Sequence, residues 1–158
     1  NVISNAPRDY VHNHLLMHRS SHVLLFNSRD ELFLQKRSLN KDECPGLWDA
    51  SAAGHVESGE DYLDCAHREL EEETGYRTNK LTFLTNIHPA IGFTNEKMWM
   101  YLAEDLIQTE HNLDVDEFLE LLPTSLEEAL SWVWNGKITD VKTIIGILWA
   151  EKLFKSED

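Results

Sequence analysis

The fold is decided by a stretch of 23 residues, which reads Gly54-His-Val-Glu-Ser-Gly-Glu60-Asp-Tyr-Leu-Asp-Cys-Ala-His-Arg68-Glu-Leu-Glu-Glu-Glu-Thr-Gly75-Tyr76. Early acids, good helix formers and a terminal glycine predict a helix over 60–74. In that helix Glu69, Glu72 and Glu73 stand at i, i+3 and i+4, which places three carboxylates on one face. Such carboxylates repel each other unless cations lie between them, so the face is either solvated or a site for Mg²⁺ or Mn²⁺.

The residues around these carboxylates support the cation site over a solvated face. Arg68 can pair with Glu60 or Glu72 and hold a carboxylate in place. Gly54 and Gly59 flank a tight loop in which the backbone can come close to a ligand. The buried side of the helix is predicted from a spacing of four and consists of Tyr62, Ala66 and Leu70.

Length and composition set wider limits. The chain has 158 residues, 42% apolar and 27% charged, which predicts a single globular domain over 1–158. A net charge of −14 disfavours binding to nucleic-acid polymers or to anionic membranes. No apolar run approaches 18 residues, and two cysteines cannot form a disulfide framework, so we expect a cytoplasmic protein without a membrane span.

The negative charge is concentrated in two segments. Residues 54–76 hold eight acids and one base, and residues 98–136 hold nine acids and no lysine or arginine. The rest of the chain has eleven acids and thirteen bases, a net +2. About half of the total charge therefore belongs to the stretch that the spacing assigns to cations.

The remaining elements mix strands and helices without a regular βαβ order. Short apolar or alternating runs predict strands at 22–26, 31–37, 48–55, 81–87 and 97–103, the first two forming a hairpin. Ser125, with Glu128 three residues later, predicts a capped short helix. A last helix begins at Thr139 or Asp140, with Ile144, Ile145, Leu148 and Trp149 on its apolar face. This order predicts an α/β or α+β sandwich with a mixed sheet.

The stretch 54–76 resembles the Nudix box, and every fixed position of that pattern is filled. The resemblance implies an α/β/α sandwich in which the box forms a loop–helix–loop beside a mixed sheet. It also implies Mg²⁺- or Mn²⁺-dependent hydrolysis of a nucleoside diphosphate linked to another group. The substrate would be small, phosphorylated and nucleotide-like.

The same resemblance implies roles by position. The metal ligands would be Glu69, Glu72, Glu73 and the carbonyl of Gly54. Glu72 would act as a ligand or as the base that activates water, with Glu69 and Arg68 also in the catalytic set. Arg68 and Glu60 would orient the helix, and Gly75 would end it.

The N-terminal half is similar to isopentenyl-diphosphate isomerase and its hydrolase-like bacterial relatives, from His18-Arg19 through Leu34-Gln-Lys-Arg37 and Pro45-Gly-Leu-Trp48 to Ala53-Gly54-His55. In that isomerase, histidines at the positions of His18 and His55 help to bind a metal. Its catalytic cysteine would precede Gly54, where this chain has Ala53, and it lacks a complete box. Isomerase chemistry is therefore the weaker alternative, and for both histidines a surface or hydrogen-bonded role stays open.

The C-terminal half resembles ADP-ribose and nucleotide-sugar pyrophosphatases in looser strings, among them Gly92-Phe-Thr-Asn-Glu96-Lys and Asp114-Val-Asp-Glu117-Phe-Leu-Glu120. In that branch a glutamate of a late loop can activate water, and Asp116 and Glu117 are the candidates by position. Glu96 is a further carboxylate for a metal or for the phosphate side. For Asp116 and Glu117 the alternative is an exposed acidic loop without a catalytic role.

Substrate contacts are expected from a few more residues. Lys36 and Arg37 end a strand near the box and can contact phosphate, or they are exposed strand-edge charges. His55 and Glu96 complete the predicted substrate-binding set. Trp48 and Phe93 can stack on a base, although core packing is the simpler interpretation. The five tryptophans could supply the contact of a homodimer. A nucleotide-binding regulator without turnover is a further alternative for the function.

Overall fold

The computed structural model describes residues 6–14, 16–40, 44–109 and 120–157. Four helices lie in this part of the chain: α1 Arg8–Asn13, α2 Tyr62–Thr74, α3 Leu126–Trp134 and α4 Val141–Glu157. The strands are β1 His18–Phe26, β2 Glu31–Lys36, β3 Trp48–Asp49, β4 Ala52–His55, β5 Tyr76–Arg77, β6 Lys80–Ile87, β7 Glu96–Glu104, β8 Ile107–Gln108 and β9 Glu120–Ser125. The predicted strands and helices are confirmed with ends shifted by a few residues, except that the strand predicted at 48–55 is two strands, β3 and β4, which pair with β2 and β1.

A mixed sheet forms the centre of the molecule. Its strand order is β3-β2-β1-β7-β6, with β4 added beside β1 and β9 beside β2. Strand β1 runs parallel to β7 and antiparallel to β2 and β4. Because β1 pairs with β4 near its start and with β2 near its end, the loop that carries the box leaves the sheet close to its middle.

Helices cover both faces of the sheet. Alternate residues of β1 point to opposite faces, as in any strand. Val23 and Leu25 pack with Ala66 and Leu70 of α2 on one face. On the other face Leu24 and Phe26 lie in a core that includes Trp132 of α3 and Ile147 of α4. The predicted α/β/α sandwich with a mixed sheet is therefore confirmed.

The apolar face of the last helix agrees with the prediction only in part, since Ile144 and Ile145 pack against the core as predicted but are partly exposed. Ile147 and Ala150 are fully buried, whereas Trp149 is 41% exposed. Gly146 packs so closely that a Cβ there would lie 2.4 Å from Leu24 Cδ1, so the glycine brings this face of the helix onto the sheet. Trp134 is 73% exposed, and the predicted homodimer stays a prediction. No helix in the described ranges combines the length and the apolar character needed to cross a membrane.

Candidate active site

The box helix is capped at both ends by its own sequence. It begins at Tyr62 because the Asp61 side chain accepts hydrogen bonds from the backbone N–H groups of Leu63 and Asp64. It ends at Gly75, whose φ of 70° is the left-handed conformation that glycine adopts without strain. Glu60 lies just before the helix, and its Oε2 accepts from the backbone N–H of Glu57 at 2.8 Å.

Arg68 lies at the centre of the box carboxylates. Its Nε and Nη2 donate to the two oxygens of Glu60 at 2.8 and 3.0 Å, a bidentate pair. Its Nη1 donates to Glu69 at 2.6 Å and to Glu72 at 3.1 Å. Nη2 also donates to the backbone carbonyl of His55 at 3.1 Å. One guanidinium therefore joins the loop, the helix and strand β4.

Two box glutamates reach from α2 to β4. The Glu69 carboxylate lies so close to Gly54 that a Cβ on residue 54 would stand 1.8 Å from its Oε1. Oε2 of Glu73 accepts from the backbone N–H of Ala53 at 2.8 Å. The glycine that opens the box therefore leaves the space that a carboxylate occupies, and a larger residue would fill it.

The electrostatics of the box follow from burial and from Arg68. Burial raises the pKa of Glu69, with the charges of Glu72 and Glu60 adding to it and Arg68 opposing it. The hydrogen bonds from Arg68 lower the pKa of Glu60. Burial raises the pKa of Cys65 to about 12, so this thiol stays neutral and packs as the sequence suggested. The carboxylates of Glu60, Glu69 and Glu72 surround the positive charge of the Arg68 guanidinium. Oxygen donors grouped around a positive charge in this way suit a hard divalent ion.

The other face of β4 holds a second group of side chains. His55, the neighbour of Gly54, pairs in register with Ser20 of β1, and Glu96 of β7 pairs with His18. One ligand atom each of His18, His55 and Glu96 lies within 4.8 Å of the others. The two imidazole rings stand 5.1 Å apart, and His18 Nε2 is 3.8 Å from Glu96 Oε2. Imidazole nitrogens with a carboxylate suit a transition metal.

Two residues of this second group were missed by the sequence analysis. The Ser20 hydroxyl donates to Glu96 Oε1 at 2.7 Å and lies 2.9 Å from Nε2 of His22. His22 is buried, and burial, followed by the charge of Lys142, lowers its pKa to about 3. The signal was present in β1, since His18, Ser20 and His22 alternate and must share one face of a strand.

The predicted phosphate contacts are occupied by other partners. Arg37 pairs with Asp49 at 3.2 Å. Nζ of Lys36 lies 5.6 Å from the ring centroid of Trp48, a cation–π geometry. Trp48 packs against the core, as the simpler interpretation had it, whereas Phe93 is 85% exposed and not part of the core.

Asp116 and Glu117, the candidates for a base in the late loop, lie outside the described residues. Their predicted role stays a prediction.

Comparisons with known proteins agree on the family. The NUDIX domain model matches residues 16–141. The "ADP-ribose pyrophosphatase" of Bacillus subtilis (strain 168) is 41% identical over 101 residues, 63% of this chain and 55% of that protein. The "Isopentenyl-diphosphate Delta-isomerase" of Serratia proteamaculans (strain 568) is 32% identical over 146 residues, 90% of this chain and 76% of that protein.

A solved structure agrees at the level of the fold. The "Crystal structure of ADP compounds hydrolase" superposes with a TM-score of 0.72 at 21% identity, covering 87% of this chain and 74% of that one. The chain spans about half the length of the first of the sequence relatives, 55%. The chain belongs to the Nudix family, and the box at 54–76 is the segment by which its sequence resembled that family.

Proposed function

We propose that this protein is a Mg²⁺- or Mn²⁺-dependent Nudix hydrolase. It cleaves the diphosphate bond of a nucleoside diphosphate linked to another group, by attack of water on phosphorus. The observation that supports this proposal is the grouping of the box carboxylates: Glu69 and Glu72 are held by Arg68, and Glu69 and Glu73 reach β4. The printed name of the Bacillus subtilis relative favours ADP-ribose or a compound like it as the substrate.

The box glutamates would hold the cations. When bound, such ions neutralise phosphate charge and lower the pKa of a coordinated water. Glu69 and Glu73 are fixed against β4 by Gly54 and by the Ala53 N–H, so both oxygen donors keep a defined position. Glu72 is half-exposed, with 51% of its side chain accessible, and can move a proton to or from solvent more readily than the others.

Arg68 and Glu60 act as support rather than as substrate contacts. Their bidentate pair has 26% and 13% side-chain exposure and ties the helix to the loop in front of it. Arg68 therefore keeps the acidic face from opening through like-charge repulsion before cations bind. Gly75 ends the helix, where its backbone N–H donates to the carbonyl of Glu71.

The side chains on the other face of β4 would supply further contacts to cations or to the substrate. His55 and Glu96 would contact a further cation or the phosphate side of the substrate, with His18 beside them. Lys36 and Arg37 can join only after leaving Trp48 and Asp49. Glu117 remains proposed as an alternative base.

A second candidate is isomerase chemistry on isopentenyl diphosphate, favoured by the isomerase relative that covers 90% of this chain. The residue before Gly54 is Ala53, whose methyl group cannot transfer a proton. The backbone N–H of Ala53 supports Glu73. We therefore rank hydrolysis first.

The test is a Mg²⁺-dependent assay on a panel of ADP-ribose, nucleotide sugars, dinucleotides and isopentenyl diphosphate, with identification of products. Glu72→Gln and Glu73→Gln should each lower turnover by about 100-fold or more, as expected when a positioned charge is lost. Glu71→Gln is the matched control, because Glu71 lies on the same helix but pairs with Arg77 at 2.5 Å.

The outcomes separate the alternatives. Full turnover in both glutamine variants would refute the box as the site of hydrolysis. Conversion of isopentenyl diphosphate without loss of phosphate would establish the isomerase instead. A ligand bound tightly by the wild-type protein and never consumed would indicate a regulator.

A further inference from the structure

The hydrogen bonds on the far face of β4 have a direction that the geometry fixes. A serine hydroxyl has one proton, and that of Ser20 goes to the carboxylate of Glu96 at 2.7 Å. The contact between Ser20 Oγ and His22 Nε2 at 2.9 Å must then be donated by the histidine. The chain of bonds therefore runs from His22 Nε2–H to Ser20 and from Ser20 O–H to Glu96 Oε1.

The atoms of His18 and Glu96 that face each other are both hydrogen-bond acceptors. Nδ1 of His18 lies 2.9 Å from the carbonyl of Leu16, which can only accept, so Nδ1 carries the proton. In the neutral ring this makes Nε2 an acceptor, and it lies 3.8 Å from Glu96 Oε2, another acceptor. Two acceptors at that distance suit a cation between them. A histidine that donates its second nitrogen to a backbone carbonyl is the usual arrangement around protein-bound metals.

We propose that His22 is a positioning residue for a transition-metal site formed by His18, His55 and Glu96. Through Ser20, it holds Oε1 of Glu96 so that Oε2 faces the two imidazoles. This inference rests on the proposed cation role of these three residues and adds the residue that orients their carboxylate.

The surroundings of His22 fit this role better than simple packing. His22 is only 4% exposed, in a strand whose neighbours Val23, Leu24 and Leu25 are fully buried and apolar. Its Nδ1 has no hydrogen-bond partner among the described residues, so the side chain contributes one bond, the one to Ser20. An apolar residue would pack there without an unmatched nitrogen, but it would leave the Ser20 hydroxyl, which donates to Glu96, without its own donor.

The experiment is a Co²⁺ titration of the full chain in excess Mg²⁺, which fills oxygen-ligand sites and leaves imidazole sites to Co²⁺. Visible absorption reports both the affinity and the coordination of the ion. The absorption that belongs to the site of His18, His55 and Glu96 is the difference between the spectra of the wild-type protein and His55→Ala.

Removal of the donor should weaken the site. His22→Leu and Ser20→Ala should each lower Co²⁺ affinity by about 10- to 100-fold, the range seen for residues that orient metal ligands, and should change the absorption spectrum. His22→Gln should restore affinity, because the glutamine amide nitrogen lies the same number of bonds from Cα as Nε2. Ser21→Ala is the matched control: this buried hydroxyl donates to Tyr62 on the opposite face and should leave Co²⁺ affinity unchanged.

Wild-type affinity in His22→Leu and Ser20→Ala would overturn the proposal. So would an equal loss in His22→Gln and His22→Leu, or an equal loss in Ser21→Ala. If His22→Leu does not fold, Ser20→Ala against Ser21→Ala decides alone. A wild-type protein that binds no more Co²⁺ than His55→Ala would also overturn it, while hydrolysis that depends on Glu72 and Glu73 would stand, so the two failures are distinct.

Discussion

Strand β4 separates two groups of polar side chains that are built in different ways. On the α2 face, the acids of the box come from a contiguous stretch and are held by Arg68, whose side chain is 26% exposed. On the other face, His18, His55 and Glu96 come from three strands and are supported by hydrogen bonds through Ser20. The first group lies within one contiguous stretch of the chain, whereas the second exists only after β1, β4 and β7 have come together in the sheet.

The two faces of β4 also differ in whether the loss of a residue should lower activity or stability. On the box face the side chain of Glu72 is 51% exposed, so the loss of its charge should affect activity more than folding. On the other face the polar groups continue into a buried ion cluster, in which Lys142 Nζ lies 2.8 Å from both Asp49 and Asp140. There a lost partner leaves charges without water, so stability should suffer most.

The largest expected effect is on stability, from Lys142→Met. The lysine side chain is 14% exposed; burial lowers its pKa, but the two carboxylates outweigh burial and raise it overall. Without the ammonium, Asp49 and Asp140 stay close together with one cation fewer. The free energy of unfolding should fall by about 3–5 kcal/mol, measured by denaturant unfolding.

Lys155→Met is the control on the same helix. Lys155 is 72% exposed and pairs with Glu151 four residues before it, so its loss should cost about 0.5 kcal/mol or less. Equal losses in the two variants would show that burial of the ion cluster does not set the cost of losing its cation.

Gly54→Ala should affect activity rather than stability. The added Cβ would meet the Glu69 carboxylate, the end of a flexible side chain that can swing away at a cost of about 1 kcal/mol. The displaced carboxylate would leave its place at β4, and turnover should fall by about 100-fold. Turnover and thermal melting of the same sample test both parts.

Gly92→Ala is the matched control, because a Cβ at Gly92 would meet nothing within 4 Å. Full turnover in Gly54→Ala would show that the position of Glu69 does not matter for the reaction. A loss of folding in Gly54→Ala would show that the box face is as important for stability as the other face.

The same division explains what the sequence could predict. The box residues interact across one helical turn or one short loop, so the sequence was enough to predict that Arg68 pairs with Glu60 or Glu72, and it contacts both. The caps at Ser125 and Gly75 were predictable for the same local reason. Likewise, the continuous apolar run at 22–26 was enough to predict a buried strand.

Contacts between distant segments were not predictable in this way. His18 meets Glu96 because β1 and β7 are parallel in one particular register, and no local pattern fixes that register. Strand β9 was missed because it contains Pro123, which is tolerated there since β9 pairs with β2 alone among the described strands. The buried face of α4 was predicted only in part, because Gly146, a weak apolar signal, makes a close contact with Leu24 and brings Ile147 rather than Trp149 into the core.

The smallest expected effect concerns the support of the box by Glu60, and it depends on pH. Hydrogen bonds from Arg68 lower the pKa of Glu60 below its ordinary value of 4.5. A lowered pKa means that the folded state favours the ionised carboxylate, so the pair stabilises the fold fully above that ordinary value. The contribution is lost as the pH falls through the lower pKa of the folded state.

Glu60→Gln should therefore lower the free energy of unfolding by about 1–2 kcal/mol at pH 7, and the difference from the wild-type protein should shrink below pH 4. Glu57→Gln is the control, because this exposed glutamate of the same loop contributes its backbone N–H and not its carboxylate to Glu60. Denaturant unfolding across this pH range measures both. A difference that stays constant from pH 7 to pH 3 would mean that the pair with Arg68 contributes no charge-dependent stability. The stability supplied by the box face of β4 would then not depend on the charge of Glu60.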